Sequence, residues 1–246
     1  MPTDRSPRHL AGARLLACLG LLVVAALSPS PLVAQVRVLD EGSFTIFRGD
    51  ARIGREDFSI RTSGDAGGGG LISAQATIQR DTQRFLPVLT ATAGGTPLSY
   101  TMEWRGDGRA VSARWTLQVT GARAVSRQRT DAGESSAEFS AGGGLAALVD
   151  DDVAHHLWFL FRNGNPVRTM LVPRRNLTVP VAVAPVGADT VAVGGKRIAA
   201  RRFSVTPTDP GGQPRELWLD ANGRLLQVRV PGANLRYVRE EPPAGS

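Results

Sequence analysis

Asp150-Asp151-Asp152-Val153-Ala154-His155-His156-Leu157-Trp158-Phe159-Leu160-Phe161-Arg162 is the stretch whose reading decides the fold. Val153, Leu157, Leu160 and Phe161 follow the i, i+4, i+7, i+8 spacing of an amphipathic helix, and Ala154 and Trp158 widen the stripe. Asp150 is placed to cap the helix, and Asp151 and Asp152 suit its positive N-terminus. Arg162 suits the other end, and Asn163-Gly164 offers a left-handed stop before Pro166. Four consecutive large apolar residues, Trp158 to Phe161, leave no purely wet face. The spacing therefore predicts a helix enclosed on several sides.

Outward from this helix the pattern changes to period two. Leu98, Tyr100, Met102 and Trp104 alternate with polar residues, as do Val111, Ala113, Trp115, Leu117 and Val119, and Gly106-Asp107-Gly108 joins the two runs as a hairpin. Earlier strands are expected at residues 43–48, at 53–61 with a bulge at Gly54, and at 72–79. Residues 65–70 form a glycine loop, and residues 123–130, polar on both faces, suit an edge strand. A short strand fits residues 137–140. After the helix, strands are expected at 167–172, at 177–179 and 181–183 around an edge or bend at Pro180, and at 190–193 and 198–205 around Gly194-Gly195. Residues 215–219 and 224–230 flank Asn222-Gly223, a strong hairpin signal, and 235–238 closes the series. The expected fold is mainly β: a single curved antiparallel sheet or half-barrel of about a dozen strands around one central helix.

The chain has 246 residues, 42% hydrophobic, enough for one large β domain. Residues 1–34 read as a secretory signal: Arg5, Arg8 and Arg14 precede an apolar run at 15–27 that is short for a membrane span, and Leu32-Val33-Ala34 suits cleavage before Gln35. Residues 35–240 then form one domain and 241–246 a flexible tail, with no transmembrane span left after cleavage. The expected location is the periplasm or the extracellular space. Cys18 lies within the signal, so the mature chain has no disulfide and relies on apolar burial. Cleavage lowers the formal net charge from +7 to +5. The arginines are spread along strands with no recognition motif, which argues against nucleic acid as a partner.

Several segments together carry a resemblance. Gly54-Arg55-Glu56 comes first, then the Asp-rich His155-His156 helix. After these come Val191-Ala192-Val193-Gly194-Gly195-Lys196 with Ala200-Arg201-Arg202, Leu217-Trp218-Leu219-Asp220 with Asn222-Gly223-Arg224-Leu225-Leu226, and Val230-Pro231-Gly232. In this order they resemble a set of exported bacterial β-rich proteins of unknown function. These are similar in shape to the half-barrel carriers that move lipoproteins across the periplasm. The resemblance implies a shared scaffold and an apolar concavity, and supplies no catalytic residue.

Two candidate sites follow. Tyr100, Met102, Trp104 and Trp115 on the hairpin, facing Trp158 and Phe161 on the helix, would line an apolar ligand site if the interior were partly open. Asp151, Asp152, His155 and His156 are the residues for a metal or acid–base site, because both Asp–His pairs have i, i+4 spacing. Adjacent histidines point about 100° apart on a helix, however, and no second His cluster completes a coordination shell. No Gly-x-Ser-x-Gly elbow occurs. The sequence thus favours a non-enzymatic exported protein, without cofactor, that binds a lipid or other amphiphile or a cell-envelope protein. A metal-assisted hydrolase at the Asp/His helix and a purely structural envelope protein are the alternatives.

Overall fold

Alternating apolar and polar side chains make strands wherever one face can be buried. The computed structural model describes residues 36–64, 69–106, 111–142, 146–164 and 166–245, with only the backbone given at 162–164. The predicted signal at 1–34 and the Asp107-Gly108 turn lie outside the described residues, as does most of the glycine loop. In chain order the first strands are β1 (Val36–Arg48), β2 (Ala51–Ser63), β3 (Leu71–Arg80), β4 (Gln83–Thr92), β5 (Pro97–Gly106), β6 (Ala113–Thr120), β7 (Arg123–Thr130) and β8 (Gly133–Ser140). Then come β9 (Ala146–Leu148), the central helix (Ala154–Gly164), β10 (Thr169–Val172), β11 (Leu177–Val193), β12 (Lys196–Pro207), β13 (Arg215–Leu219), β14 (Leu225–Val230) and β15 (Leu235–Arg239).

All fifteen strands join one open sheet. Its order is β8-β7-β6-β5-β4-β3-β2-β1-β15-β14-β13-β12-β11-β10-β9. Every pair is antiparallel except β9 and β10. That pair is parallel because the central helix forms a long crossover between the two strands, where a tight turn would force antiparallel pairing. The count exceeds the dozen expected, and the all-antiparallel expectation is corrected at this pair. Two strands were missing from the sequence reading, the three-residue β9 and β4, whose Phe85, Leu89 and Ala91 are buried. Pro87 takes an inward position in step with them, opposite Met102.

The sheet curls. β8 and β11 are first and thirteenth in the order, which on a flat sheet would separate them by roughly 58 Å at about 4.8 Å per strand. Instead Thr178 Oγ1 on β11 donates to the Ser140 carbonyl on β8. β7, expected at the edge, is paired on both sides, and the more polar β8 takes the edge. Pro180 marks the bend where β11 passes from β10 to β12: Thr169 faces Pro180, and Val181 faces Pro207. Gly194 and Gly195, at φ +55° and +78°, make the β11–β12 turn with both residues left-handed, a conformation few other residues adopt cheaply. The predicted Asn222-Gly223 turn joins β13 and β14, braced by Asp220 Oδ1 accepting from the amides of Asn222 and Arg224. Past β15 the tail keeps contacts: Arg55 pairs with Glu240 at 2.6 Å, and Arg224 Nη1 donates to the Ala244 carbonyl.

The central helix is a 3₁₀ helix, not the predicted α-helix, and it begins at Ala154 rather than after Asp150. Val153, Ala154, Leu157, Phe159 and Leu160 are all buried, while Trp158 and Phe161 are half-buried. Phe159, off the predicted apolar stripe, is buried because the helix meets several strands at once. It belongs to the same core as Phe44, Ile60, Tyr100, Met102 and Leu217. Burying such side chains contributes at most about 1.5–3 kcal/mol each.

Candidate functional site

The chemistry-bearing side chains gather at the start of the helix. A helix leaves its first amides without partners and presents a positive end. Here the partner is Glu56 of β2, nearly a hundred residues upstream. Its Oε2 accepts from the Ala154 amide and its Oε1 from the His155 amide, each at 2.9 Å. Oε1 also lies 2.7 Å from His155 Nδ1. Glu56 is fully buried. β2 delivers it there because Glu56, Phe58 and Ile60 share the inward face of the strand. Asp150 is therefore not the cap that the sequence suggested.

The bulge in β2 falls beside Gly54, where pairing jumps from Ile46–Gly54 to Phe47–Arg52. Gly54 is needed for close approach. A Cβ there would collide with the Gln79 carbonyl oxygen and come within 2.9 Å of Arg80 Cα. The resemblance segment Gly54-Arg55-Glu56 thus holds two structural functions two residues apart.

The three aspartates turn to arginines. Asp150 accepts from Arg174 Nε at 2.7 Å and from the Tyr100 hydroxyl at 2.7 Å. Asp152 accepts from Arg80 at 2.5 Å and Arg174 at 2.6 Å, so Arg174 bridges two carboxylates. Asp151 pairs with Arg215 at 2.7 Å. Burial opposes ionisation of Asp152, but hydrogen bonds and charge from Arg80 and Arg174 outweigh it and hold the carboxyl below its usual range. Burial likewise opposes the Arg174 charge, and Asp150 and Asp152 overcome it, raising its pKa. Burial and the neighbouring Asp150 push the Tyr100 hydroxyl well above its ordinary value. Because the aspartates precede the helix, the expected i, i+4 Asp–His pairs do not form.

Both histidines point inward and are fully buried. Their ring centroids are 4.6 Å apart. His155 stacks on Phe58 at 5.6 Å, and Tyr100 meets His156 edge-on at 5.5 Å. Burial, then the charges of His155 and Arg174, drive the His156 pKa well below its ordinary value. His156 Nδ1 accepts from the Asp150 amide at 3.3 Å, which assigns the proton of the neutral ring to Nε2. Both Nε2 atoms are buried without a hydrogen-bond partner. The four residues picked for a metal do not converge: the histidines face the interior and the aspartates face arginines. Among the described residues no group of three or more His, Cys, Asp or Glu is placed to share an ion.

Of the apolar set, Tyr100 and Met102 are buried, and Trp104, Trp115, Trp158 and Phe161 are half-buried against the core. The register aligns them as expected, with Tyr100 opposite Leu117, Met102 opposite Trp115 and Trp104 opposite Ala113. Tyr100, Met102 and Leu117 of the hairpin and Leu157, Phe159 and Leu160 of the helix belong to one buried core. Phe161 turns to Phe203 of β12 at 4.7 Å, and Trp115 lies under Arg174 at 6.0 Å.

Sequence reasoning missed Glu56, Arg80, Arg174 and Arg215. A carboxylate on the apolar face of a strand was the available signal for Glu56. A second buried ion pair was also missed. Asp40 of β1 accepts from Arg239 of β15 at 2.8 Å, and both are nearly inaccessible. Burial raises the Asp40 pKa despite Arg239.

No curated protein and no solved structure matches the chain. One family model, described as a domain of unknown function (DUF6134), matches residues 44–240. That span runs from β1 to the residue after β15 and includes Glu56, both histidines and the arginine-bound aspartates. The chain belongs to this family of domains of unknown function, DUF6134.

Proposed function

We propose that the chain is a non-enzymatic, exported envelope domain, built on a half-barrel scaffold, that binds an amphiphile. One observation supports this reading above the others. Glu56, Tyr100, Asp150, His155 and His156 are each at most 2% exposed. A substrate has no path to them, and their bonds run to one another, to Arg174 and to the helix start. Their work is to fix the helix, so recognition falls to the surface and to the half-buried aromatic rim of Trp104, Trp115, Trp158 and Phe161. Export rests on the leader pattern of residues 1–34.

The test is organic extraction of the purified mature protein with mass spectrometry, followed by titration with single-chain amphiphiles below their micelle concentration. Co-purified lipid or saturable binding is expected. Neither would leave the structural envelope role in its place. The hydrolase reading draws on the two unpartnered Nε2 atoms. Against it, the His156 tautomer closes one of those lone pairs, and arginines occupy the aspartates. Stoichiometric metal in the purified protein, lost in His155→Ala, would restore that reading.

A further inference from the structure

The face of the sheet away from the helix carries a row of cations. Across neighbouring strands Arg52 faces Phe47, Phe47 faces Arg236, Arg236 faces Arg229, and Arg229 faces Glu216. The adjacent row runs Thr45, Val238, Gln227, Trp218 and Arg202. Two grooves open on these rows. The first, of about 520 Å³, is lined by Gln227, Arg229, Asn234, Leu235 and Arg236, with exposed Asp50 at its rim. The second, of about 340 Å³, lies between Phe47, Trp218 and Val238 on the sheet and residues 189–192 of β11. Gln227 and Arg236 line both. Each volume falls in the roughly 300–1,000 Å³ range of small-molecule sites.

The charges of the first groove are unbalanced. Guanidinium groups directly opposite each other on paired strands repel. Glu216 is 3.7 Å from Arg229, but it is shared with Arg202. Arg236 has no carboxylate partner among the described residues. Its guanidinium sits 4.9 Å over the Phe47 ring, with Nε buried and unbonded. Two forked donors from opposed positions, Arg236 leaning toward Phe47 and Arg229 toward Glu216, line this groove with the Asn234 and Gln227 amides, a donor set that suits the oxygens of a phosphate. The second groove differs. Its floor is Phe47, Val238 and the buried Trp218, with Arg236 over the Phe47 ring and Arg202 5.2 Å over Trp218. Its carboxylate, Asp189, is engaged by the Trp218 indole N–H at 2.7 Å. Hydrogen bonds from Trp218 and from the Thr190 amide hold the Asp189 pKa low, so it stays charged and repels an anionic head.

We infer that this outer face binds a single anionic amphiphile, its phosphate headgroup held between Arg236 and Arg229 and its apolar chain lying along Phe47, Trp218 and Val238. The inference rests on the amphiphile reading above and names the face and the ligand class. Asp189 sets the direction, head toward the arginines and tail toward β11.

Calorimetric titration of the full mature protein tests it with three probes: lysophosphatidylglycerol, a neutral monoacylglycerol of the same chain length, and inorganic phosphate, the lipids below their micelle concentration. Lysophosphatidylglycerol is expected to bind at least about tenfold more tightly than either other probe. Arg236→Ala and, separately, the exposed Arg229→Ala should each weaken it by about tenfold or more while leaving the monoacylglycerol unchanged. Two variants at different depths keep the result readable if one folds poorly. Unchanged lysophosphatidylglycerol binding in both overturns the site but leaves amphiphile binding standing. Phosphate binding as tightly as the lipid overturns the lipid assignment. No binding of either lipid by the wild type overturns the amphiphile reading itself.

Discussion

Replacing Glu56 by glutamine keeps the shape and removes the charge at the helix start. The carboxylate accepts from two backbone amides and lies against His155 Nδ1, all within 2.9 Å. Glutamine has one acceptor oxygen, so whichever way its amide turns, an NH₂ group faces a buried backbone N–H. Leaving that donor unsatisfied costs about 1–3 kcal/mol. Losing a buried anion at a helix N-terminus adds about 0.3–2 kcal/mol. Removal of the charge also removes its desolvation cost, which keeps the sum near 3 kcal/mol, or roughly 100-fold in the folding equilibrium. For a domain of this size the melting temperature should fall by about 6–12 °C. Urea denaturation followed by tryptophan fluorescence reads the difference. The control is Glu138→Gln on the edge strand β8, whose partner Arg123 is 63% exposed at the side chain, and it should leave the midpoint essentially where it is. If Glu56→Gln shifts the midpoint no further than the control, Glu56 does not hold the helix and the account of the site fails.

Two other perturbations follow from the same geometry. His156 has a folded pKa well below the 6.5 of an ordinary histidine. Below about pH 6.5 the unfolded chain therefore gains a proton that the folded chain refuses. Stability is full above that pH and falls below it, by about 1.4 kcal/mol per unit while the folded ring stays neutral. Asp152, with its lowered pKa, acts only at more acid pH, and Asp40, with its raised pKa, acts in the opposite sense, losing stability as pH rises. The comparison that isolates the histidine is His156→Asn, whose pH–stability profile should be flatter between pH 5 and about 6.5; an identical slope refutes the assignment. Gly54→Ala drives a methyl into the β3 backbone and should cost about 1–3 kcal/mol or more in thermal denaturation. Gly69→Ala, where a Cβ meets nothing within 4 Å, should be nearly silent, and equal effects from the two would sink the close-approach argument.

Much of this architecture is legible in residue alternation, because a half-buried strand must alternate. Tyr100, Met102 and Trp104 reveal β5 in that way, and Asn222-Gly223 reveals its hairpin through the left-handed turn that few residues allow. β4 was hidden because Leu86 and Val88 put apolar residues on its outer face, so the run shows no clean alternation, and because Pro87 lacks the amide a strand uses for pairing. β9 is three buried apolar residues, Ala146, Ala147 and Leu148, and a run that short has no period to read. The helix was visible but its kind and start were not. Asp150-Asp151-Asp152 looks like a local cap, and the true cap comes from Glu56 on another strand. Local propensity cannot register a partner that only the tertiary fold supplies. For the same reason the arginines that claim the three aspartates, scattered from Arg80 to Arg215, carried no local signal.

The strand order has a consequence for how the chain assembles. From β1 to β8 and from β9 to β15, nearly every strand pairs with its neighbour in sequence, so each half can zip up as it emerges. Only one strand pairing unites the halves, that of β1 with β15, where Phe44 faces Arg239 and the buried Asp40–Arg239 pair spans the junction. The first zipper must therefore wait, its β1 flank bare and open to wrong partners, until the final strand arrives to fasten it.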